Sequence, residues 1–157
     1  MKNAVIIMGS KSDMDHALKI KEGIESLGGN VVVRVASAHK TPEKALGIIR
    51  ECEADTAVFV TVAGMSNALS GFVDANTTRP VIACPPVSDK FGGMDILSSL
   101  RMPSGVAPMT VLGSSQCALA AAKIMAVSDE DIAARISALQ KENREKIEKD
   151  DTGVQNG

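Results

Sequence analysis

Aromatic residues are nearly absent from the chain: Phe, Tyr and Trp make up 2% of its 157 residues, with three Phe and no Tyr or Trp. Proteins that hold single-stranded nucleic acid or quaternary amines rely on such rings. A strong charge of one sign is also missing, because 17 basic and 19 acidic side chains leave a net charge of -2. Since binding to nucleic acid needs a clustered excess of Lys and Arg, we expect no nucleic-acid partner.

Cysteine is scarce as well. Cys52, Cys84 and Cys117 are odd in number and form no CxxC pair, which indicates reduced thiols rather than a disulfide framework or a zinc site. No apolar run approaches the length of a membrane span, and the run at residues 4–8 is too short for a signal peptide. We therefore expect a cytoplasmic protein with no membrane partner and no metal.

Five short apolar runs alternate with helical patterns, which predicts a βαβ series built on a parallel sheet. Most of the runs are apolar along their whole length, as is typical of strands covered by helices on both faces. The predicted strands are residues 4–8, 31–35, 56–62, 80–84 and 109–112. A chain of this length fits one domain, so we predict a single α/β domain over residues 1–149, with helices on both faces of the sheet.

Helices between the strands are indicated by apolar residues at helical spacing and by capping residues. The first ends at Gly28-Gly29. The second begins at Thr41-Pro42-Glu43, with an N-cap, a proline at the first helical position and an acid in the first turn. Further helices are predicted at residues 66–75, 94–102 and 116–126.

The last predicted helix is unusually long. It starts from an N-cap at Ser128 and runs to about residue 149, and residues 150–157 are expected to form a flexible tail. A helix of about two dozen residues would overhang such a small sheet. We therefore expect part of its apolar stripe to pack against another subunit of a homo-oligomer.

Polar and small residues follow four of the predicted strands. A doubly wound sheet binds its ligands in the crevice outside the carboxyl ends of its strands, so these four loops should share one edge. The loops are GSKSD at residues 9–13, SAHKTP at 37–42, AGMSN at 63–67 and PPVSD at 85–89.

Ser10, Ser37 and Lys40 lie just before helices, where hydroxyl groups, backbone N–H groups and a lysine suit a monophosphate. Neither GxGxxG nor GxxxxGK[ST] is present, which disfavours dinucleotides and nucleoside triphosphates. Asp13, at the same edge, is placed to accept hydrogen bonds from ribose hydroxyls. The alternative is that Ser10, Ser12 and Asp13 only cap the first helix.

The two histidines differ in position. His16 is off the apolar stripe of the first helix and is predicted to be solvated surface. His39 follows a strand end beside Ser37 and Lys40, where an imidazole can exchange protons with a ligand near neutral pH, which makes it the candidate catalytic residue. The alternative is that the imidazole only forms hydrogen bonds within its own loop.

The segment AGMSNALSG at residues 63–71 places small residues after a buried strand, so the backbone can approach a flat ligand closely. Asn67 can both donate and accept hydrogen bonds there. The alternative is that this segment begins a helix and that its residues are small because they pack closely.

Together these loops resemble the phosphoribosylaminoimidazole carboxylase family called PurE, over about residues 5–124. Residues 9–13 match its GSxSD loop, residues 37–40 its SAH followed by a basic residue, and residues 102–106 its MPxGV segment. The mutase branch of that family shows SAHR and AGGAAHLPG. Lys40, SNALSG, Pro85-Pro86 and SSLRMPSG resemble instead the class II branch, which carboxylates aminoimidazole ribonucleotide directly with carbon dioxide.

This resemblance implies a flavodoxin-like three-layer αβα sandwich that assembles as a homo-octamer and works in purine biosynthesis without a cofactor. It implies that Ser10, Ser37 and Lys40 hold the phosphate, Asp13 the ribose, and His39 the reacting ring. Residues expected around the base and carbon dioxide are Gly9, Ala38, Gly64, Met65, Ser66, Asn67 and Ser88. Residues expected to border a neighbouring subunit's site are Arg101, Met102 and Pro103.

Two other functions stay open. One is the mutase that moves a carboxylate from the exocyclic nitrogen to C4 of the same ring. The other is a non-catalytic module that binds a phosphorylated nucleotide.

Overall fold

The computed structural model of the protein describes residues 2–156, and a five-stranded parallel sheet forms its centre. The strand order is β2-β1-β3-β4-β5, so the direction of winding changes between β1 and β3. This order confirms the predicted flavodoxin-like sandwich. The strands are β1 (Asn3–Met8), β2 (Asn30–Val35), β3 (Thr56–Val62), β4 (Val81–Ala83) and β5 (Met109–Thr110).

Helices cover both faces of the sheet. Their bounds are α1 (Met14–Ser26), α2 (Pro42–Cys52), α3 (Leu69–Asp74), α4 (Ser114–Ala126) and α5 (Glu130–Gln155). The buried residues of α1, α4 and α5 pack with one face of the sheet, and those of α2 and α3 with the other.

Strand β1 shows why the apolar runs are continuous. Ala4, Ile6 and Met8 belong to the core on the α1 side, whereas Val5 and Ile7 belong to the core on the α2 side. Successive side chains of a strand point to opposite faces. Because both faces are covered, every position along the strand must be apolar.

Gly23 lets α1 and α4 approach closely. A Cβ added at Gly23 would lie 2.6 Å from the Cβ of Ala118, whereas a Cβ added at Gly47, inside α2, meets nothing within 4 Å. We expect Gly23→Ala to lower the free energy of unfolding by about 1–3 kcal/mol through overpacking. Gly47→Ala is the matched control and should raise it by about 0.5–1 kcal/mol, because a helix-interior glycine costs conformational entropy. Urea unfolding measures both changes, and equal stabilisation by the two variants would contradict the close helix contact.

The end of the chain differs from the prediction. The N-cap of α5 is Asp129 rather than Ser128, because the Asp129 carboxylate accepts a 3.2 Å hydrogen bond from the N–H of Ile132. The helix has 26 residues and ends at Gln155, so residues 150–155, which were expected to be loose, are helical. Side-chain hydrogen bonds one turn apart, such as Gln155 to Asp151 at 2.9 Å, accompany this extension.

The helix predicted at residues 94–102 is also wrong in type and place. Residues Lys90–Ser99 form irregular 3₁₀ turns, interrupted where Phe91, Gly92 and Gly93 adopt positive φ angles of 53°, 60° and 78°. We name this stretch the 90–99 segment. The left-handed stretch ends just before residue 94, and the residues that follow it continue as 3₁₀ turns to Ser99 instead of an α-helix.

Candidate active site

One cavity of about 630 Å³ opens at the carboxyl ends of the strands. The four predicted loops line it together, which confirms that they share one edge. The predicted site residues that line the cavity are Gly9, Ser10, Asp13, Ser37, Ala38, His39, Lys40, Gly64, Met65, Ser66 and Ser88.

The loop after β1 presents two serine hydroxyls to the cavity. Ser10 has an extended backbone, and its hydroxyl oxygen accepts hydrogen bonds from the N–H of Ser12 at 3.3 Å and from the Ser12 hydroxyl at 3.0 Å. Ser10 therefore caps the short 3₁₀ turn Lys11–Asp13, whereas Asp13, at the N-cap of α1, makes no side-chain capping bond, so the alternative of helix capping holds only for the turn before α1. Since both serines also line the cavity, capping leaves them available to an anion at the same place.

The loop after β2 is a tight turn that presents His39 and Lys40. The Ser37 hydroxyl accepts a 3.2 Å hydrogen bond from the N–H of Lys40. Thr41 lies at the N-cap of α2, but its hydroxyl accepts a 3.0 Å hydrogen bond from the N–H of Ser37 instead of capping the helix. These hydrogen bonds stabilise the turn from within. Both His39 and Lys40 are exposed toward the cavity.

The loop after β3 is held by the 90–99 segment. Met65 has a φ of 60°, which is unusual for a residue with a side chain. Its N–H donates to Asp95 Oδ2 at 3.1 Å, and its carbonyl accepts from the Ser98 hydroxyl at 3.0 Å. These two bonds fix the wall of the cavity at Gly64, Met65 and Ser66.

Family membership follows from the sequence. The profile of the AIR carboxylase family, AIRC, matches residues 3–146. The chain belongs to the AIR carboxylase family. This assignment confirms the resemblance carried by the loops, and with it an AIR carboxylase family function in purine biosynthesis.

Comparisons of this AIR carboxylase family member with individual relatives support the same assignment. The chain is 61% identical over 148 residues to a phosphoribosylaminoimidazole carboxylase of Archaeoglobus fulgidus, covering 94% of this chain and 82% of the relative. It is 46% identical over 150 residues to a protein of the same description from Treponema denticola, covering 94% of each. The crystal structure of Treponema denticola PurE superposes with a TM-score of 0.94 at 44% identity, covering 98% of this chain and 99% of that one.

Asn67 requires a correction, because the structure does not place it at the cavity surface of this AIR carboxylase family member. The residue is 5% exposed and is not among those that line the cavity. The amide nitrogen donates to the Ser99 hydroxyl at 2.8 Å, and the amide oxygen accepts from the N–H of Ser70 at 3.3 Å. Asn67 therefore ties the loop to the 90–99 segment instead of facing a ligand.

Two charged lining residues were missed from the sequence, Lys90 and Asp95. Lys90 follows the loop after β4, where its N–H donates to the Ser88 hydroxyl at 3.1 Å. Its position directly after the PPVSD loop was a usable signal. The residues expected to border a neighbouring subunit's site do not line the cavity of their own subunit: Arg101 and Pro103 are exposed, and Met102 packs near Gly71.

Asp13 is the acidic residue of the first loop at the cavity. Partial burial raises the pKa of the Asp13 carboxyl, while a backbone hydrogen bond from Ser10 and the charge of His16 oppose that shift. Lys40 and Lys90 line the same cavity, so it contains cationic and anionic groups side by side.

His16 also requires a correction. The residue is partly buried rather than solvated, and its Nε2 lies 3.3 Å from Sγ of Cys84, at the end of β4. A hydrogen bond with Cys84 is the main cause that raises the pKa of His16. Apolar periodicity could not reveal this contact, because the partner is 68 residues away in the sequence.

Residues 2–156 contain neither a metal-binding cluster nor a membrane-spanning helix. No group of three or more His, Cys, Asp or Glu side chains is placed to hold a metal ion there. Over the same residues, no helix combines the length and the apolar character that crossing a membrane requires.

Proposed function

We propose that this chain adds carbon dioxide directly to C4 of 5-aminoimidazole ribonucleotide (AIR), giving 4-carboxy-5-aminoimidazole ribonucleotide (CAIR), without ATP, biotin or metal. The observation that carries the proposal is a single cavity that gathers His39, Lys40, Ser10 and Ser37. A histidine that exchanges protons thereby lies beside groups that suit a monophosphate dianion.

Phosphate binding is the first step. Ser10 precedes α1, Ser37 precedes α2, and the Lys40 ammonium supplies the positive charge. Two helix N-termini and one lysine suit a phosphate better than a neutral group, because each charge-assisted hydrogen bond is worth about 1.5–3 kcal/mol. Asp13 would then accept hydrogen bonds from the ribose hydroxyls.

Carbon–carbon bond formation comes next. The exocyclic amine of the substrate pushes electrons into the imidazole, so C4 attacks the carbon of carbon dioxide when the two are held in contact. The C4–carbon bond forms as one C=O π bond becomes the carboxylate. Small residues around Gly64, Met65 and Ser66 leave room for a molecule of that size.

Proton removal completes the reaction. The adduct carries both a hydrogen and a carboxylate on C4, and loss of the proton restores the aromatic ring. His39 is the proposed base, which takes the proton and later releases it to solvent.

The mutase is the second candidate, and the wall of the cavity favours the direct carboxylase over it. Ala68 lines the cavity at the position where the AGGAAHLPG pattern of the mutase branch has its histidine. Among the lining residues of the described chain, 2–156, His39 is the one histidine. A mutase that relied on two histidines would lack one here.

Isotope labelling separates the candidates. AIR supplied with ¹³C-bicarbonate and no ATP should give labelled CAIR, in an amount that follows the bicarbonate concentration. The unlabelled N-carboxylated nucleotide, supplied in the same labelled medium, should also give labelled product, because its carboxylate must first be lost to the carbon dioxide pool. Unlabelled product formed faster than that loss would instead identify a mutase. Binding without turnover of either substrate would identify a non-catalytic module.

Assembly is part of the same proposal: we expect a homo-octamer in which Arg101, Met102 and Pro103 border a neighbour's site. The supporting observation is apolar surface near that border. Phe91, Leu97 and Leu100 are 79%, 50% and 56% exposed. Exposed apolar groups of this kind are typical of subunit contacts.

A further inference from the structure

A cluster of thiol and imidazole groups lies behind the wall of the candidate active site. Cys84 directly follows β4, and its Sγ lies 3.3 Å from Nε2 of His16 in α1 and 3.6 Å from the carbonyl oxygen of Gly113. Cys117, in the first turn of α4, belongs to the same buried core cluster as Cys84. Both cysteines are fully buried. The Cys84 sulfur therefore joins the start of α1 to the end of β4 and the start of α4.

The donors around this sulfur favour a thiolate. Hydrogen bonding from Cys117 lowers the pKa of the Cys84 thiol, and hydrogen bonding from His16 adds to that effect, while burial opposes it. The same interaction with Cys84, together with burial, raises the pKa of the Cys117 thiol. Cys117 therefore stays protonated and acts as the donor to Cys84. The pKa of His16 is raised by the same contact with Cys84. A neutral Cys84 that donates to the Gly113 carbonyl is the competing state.

The cluster is connected to the cavity through Asp13. Asp13 lies three residues before His16 and lines the cavity, whereas His16 does not. Within residues 2–156, the titratable groups that act on the pair are Cys117 from α4 and Asp13 from the turn before α1. A positive charge on His16 opposes the effect of burial on Asp13.

We propose that Cys84 and His16 form a buried thiolate–imidazolium pair that fixes the start of α1 and thereby positions Asp13 where it lines the cavity. The link to ribose binding rests on the function proposed above, whereas the ion pair itself does not. His16 and Cys84 act as positioning residues, because neither lines the cavity.

The ion pair is tested by the ultraviolet absorbance of the thiolate, titrated in the folded protein. A single thiolate should appear below the ordinary thiol pKa of about 8.5. It should be lost in Cys84→Ala and shifted to higher pH in His16→Gln. Cys52→Ala is the matched control, because burial raises the pKa of the partly buried Cys52 thiol and it lies outside the cluster. A first thiolate at or above the ordinary value, or one that His16→Gln does not move, would overturn the pair.

The positioning role is tested by a double-mutant cycle on AIR affinity. His16→Gln should weaken AIR binding about tenfold in the wild-type background, and it should cause no further loss in an Asp13→Asn background. Equal losses in both backgrounds would show that His16 does not act through Asp13 and would overturn the positioning role. If the wild-type protein fails to bind AIR, the proposed function fails, and the absorbance titration still decides for or against the pair.

Discussion

Replacing His39 with asparagine is expected to lower kcat for CAIR formation by about 10²- to 10⁴-fold, because the variant lacks the base that takes the C4 proton. Asparagine keeps a polar side chain at the exposed tip of the turn after β2. Affinity for AIR, measured by calorimetry, should therefore stay nearly unchanged.

The affinity for AIR is the control that separates loss of the base from damage to the turn. The turn that carries His39 is held by hydrogen bonds of Ser37, Lys40 and Thr41, none of which uses the imidazole. A loss of kcat that merely followed a loss of binding would indicate damage to the turn. Near-normal turnover in His39→Asn would remove this residue from the mechanism.

Replacing Lys40 with alanine is expected to weaken binding of the nucleotide about 10- to 100-fold, since a charge-assisted hydrogen bond to phosphate is lost. Binding of the dephosphorylated nucleoside should change little. Calorimetry with both ligands makes the comparison.

Lys44→Ala is the matched control for Lys40→Ala. Lys44 is an exposed lysine one turn later in the chain, it lies in α2, and it does not line the cavity. Its removal takes away the same charge and should leave the nucleotide affinity nearly unchanged. Equal losses for nucleotide and nucleoside in Lys40→Ala would show that this lysine does not hold the phosphate.

Much of the fold could be predicted from the sequence, because the physical cause was local. Strand β3 has the predicted bounds, Thr56–Val62, since burial on both faces favours a run in which apolar and β-branched residues dominate. Helix α2 begins at Pro42, where a proline and an acidic residue indicated a first turn. The convergence of four loops followed from the parallel sheet, without knowledge of any side-chain contact.

The errors arose where a partner lies far away in the sequence. Asn67 was expected to face a ligand, but its partner Ser99 lies 32 residues later and draws it into the interior. His16 was expected on the surface, because its contact with Cys84 spans 68 residues. Apolar periodicity describes one helix or strand at a time, so it cannot predict contacts between residues that are far apart in the sequence.

The 90–99 segment was missed for a different reason. The alternation of strands and helices suggested a helix at residues 94–102, yet the chain there forms 3₁₀ turns that follow a left-handed turn at Phe91. The loop after β3 depends on this segment, because Asp95 and Ser98 hold Met65 in its own left-handed turn. Mutual support of this kind arises only when both segments are in place, and no pattern within either one predicts it.

The most direct test of the proposed site is a crystal structure of the protein with AIR bound. The phosphate should contact Ser10, Ser37 and Lys40, and C4 of the imidazole should lie within about 3–3.5 Å of the His39 ring or be bridged to it by one water. A phosphate bound away from these three residues, or a C4 beyond the reach of His39 from its own subunit and from every neighbour, would contradict the proposed chemistry.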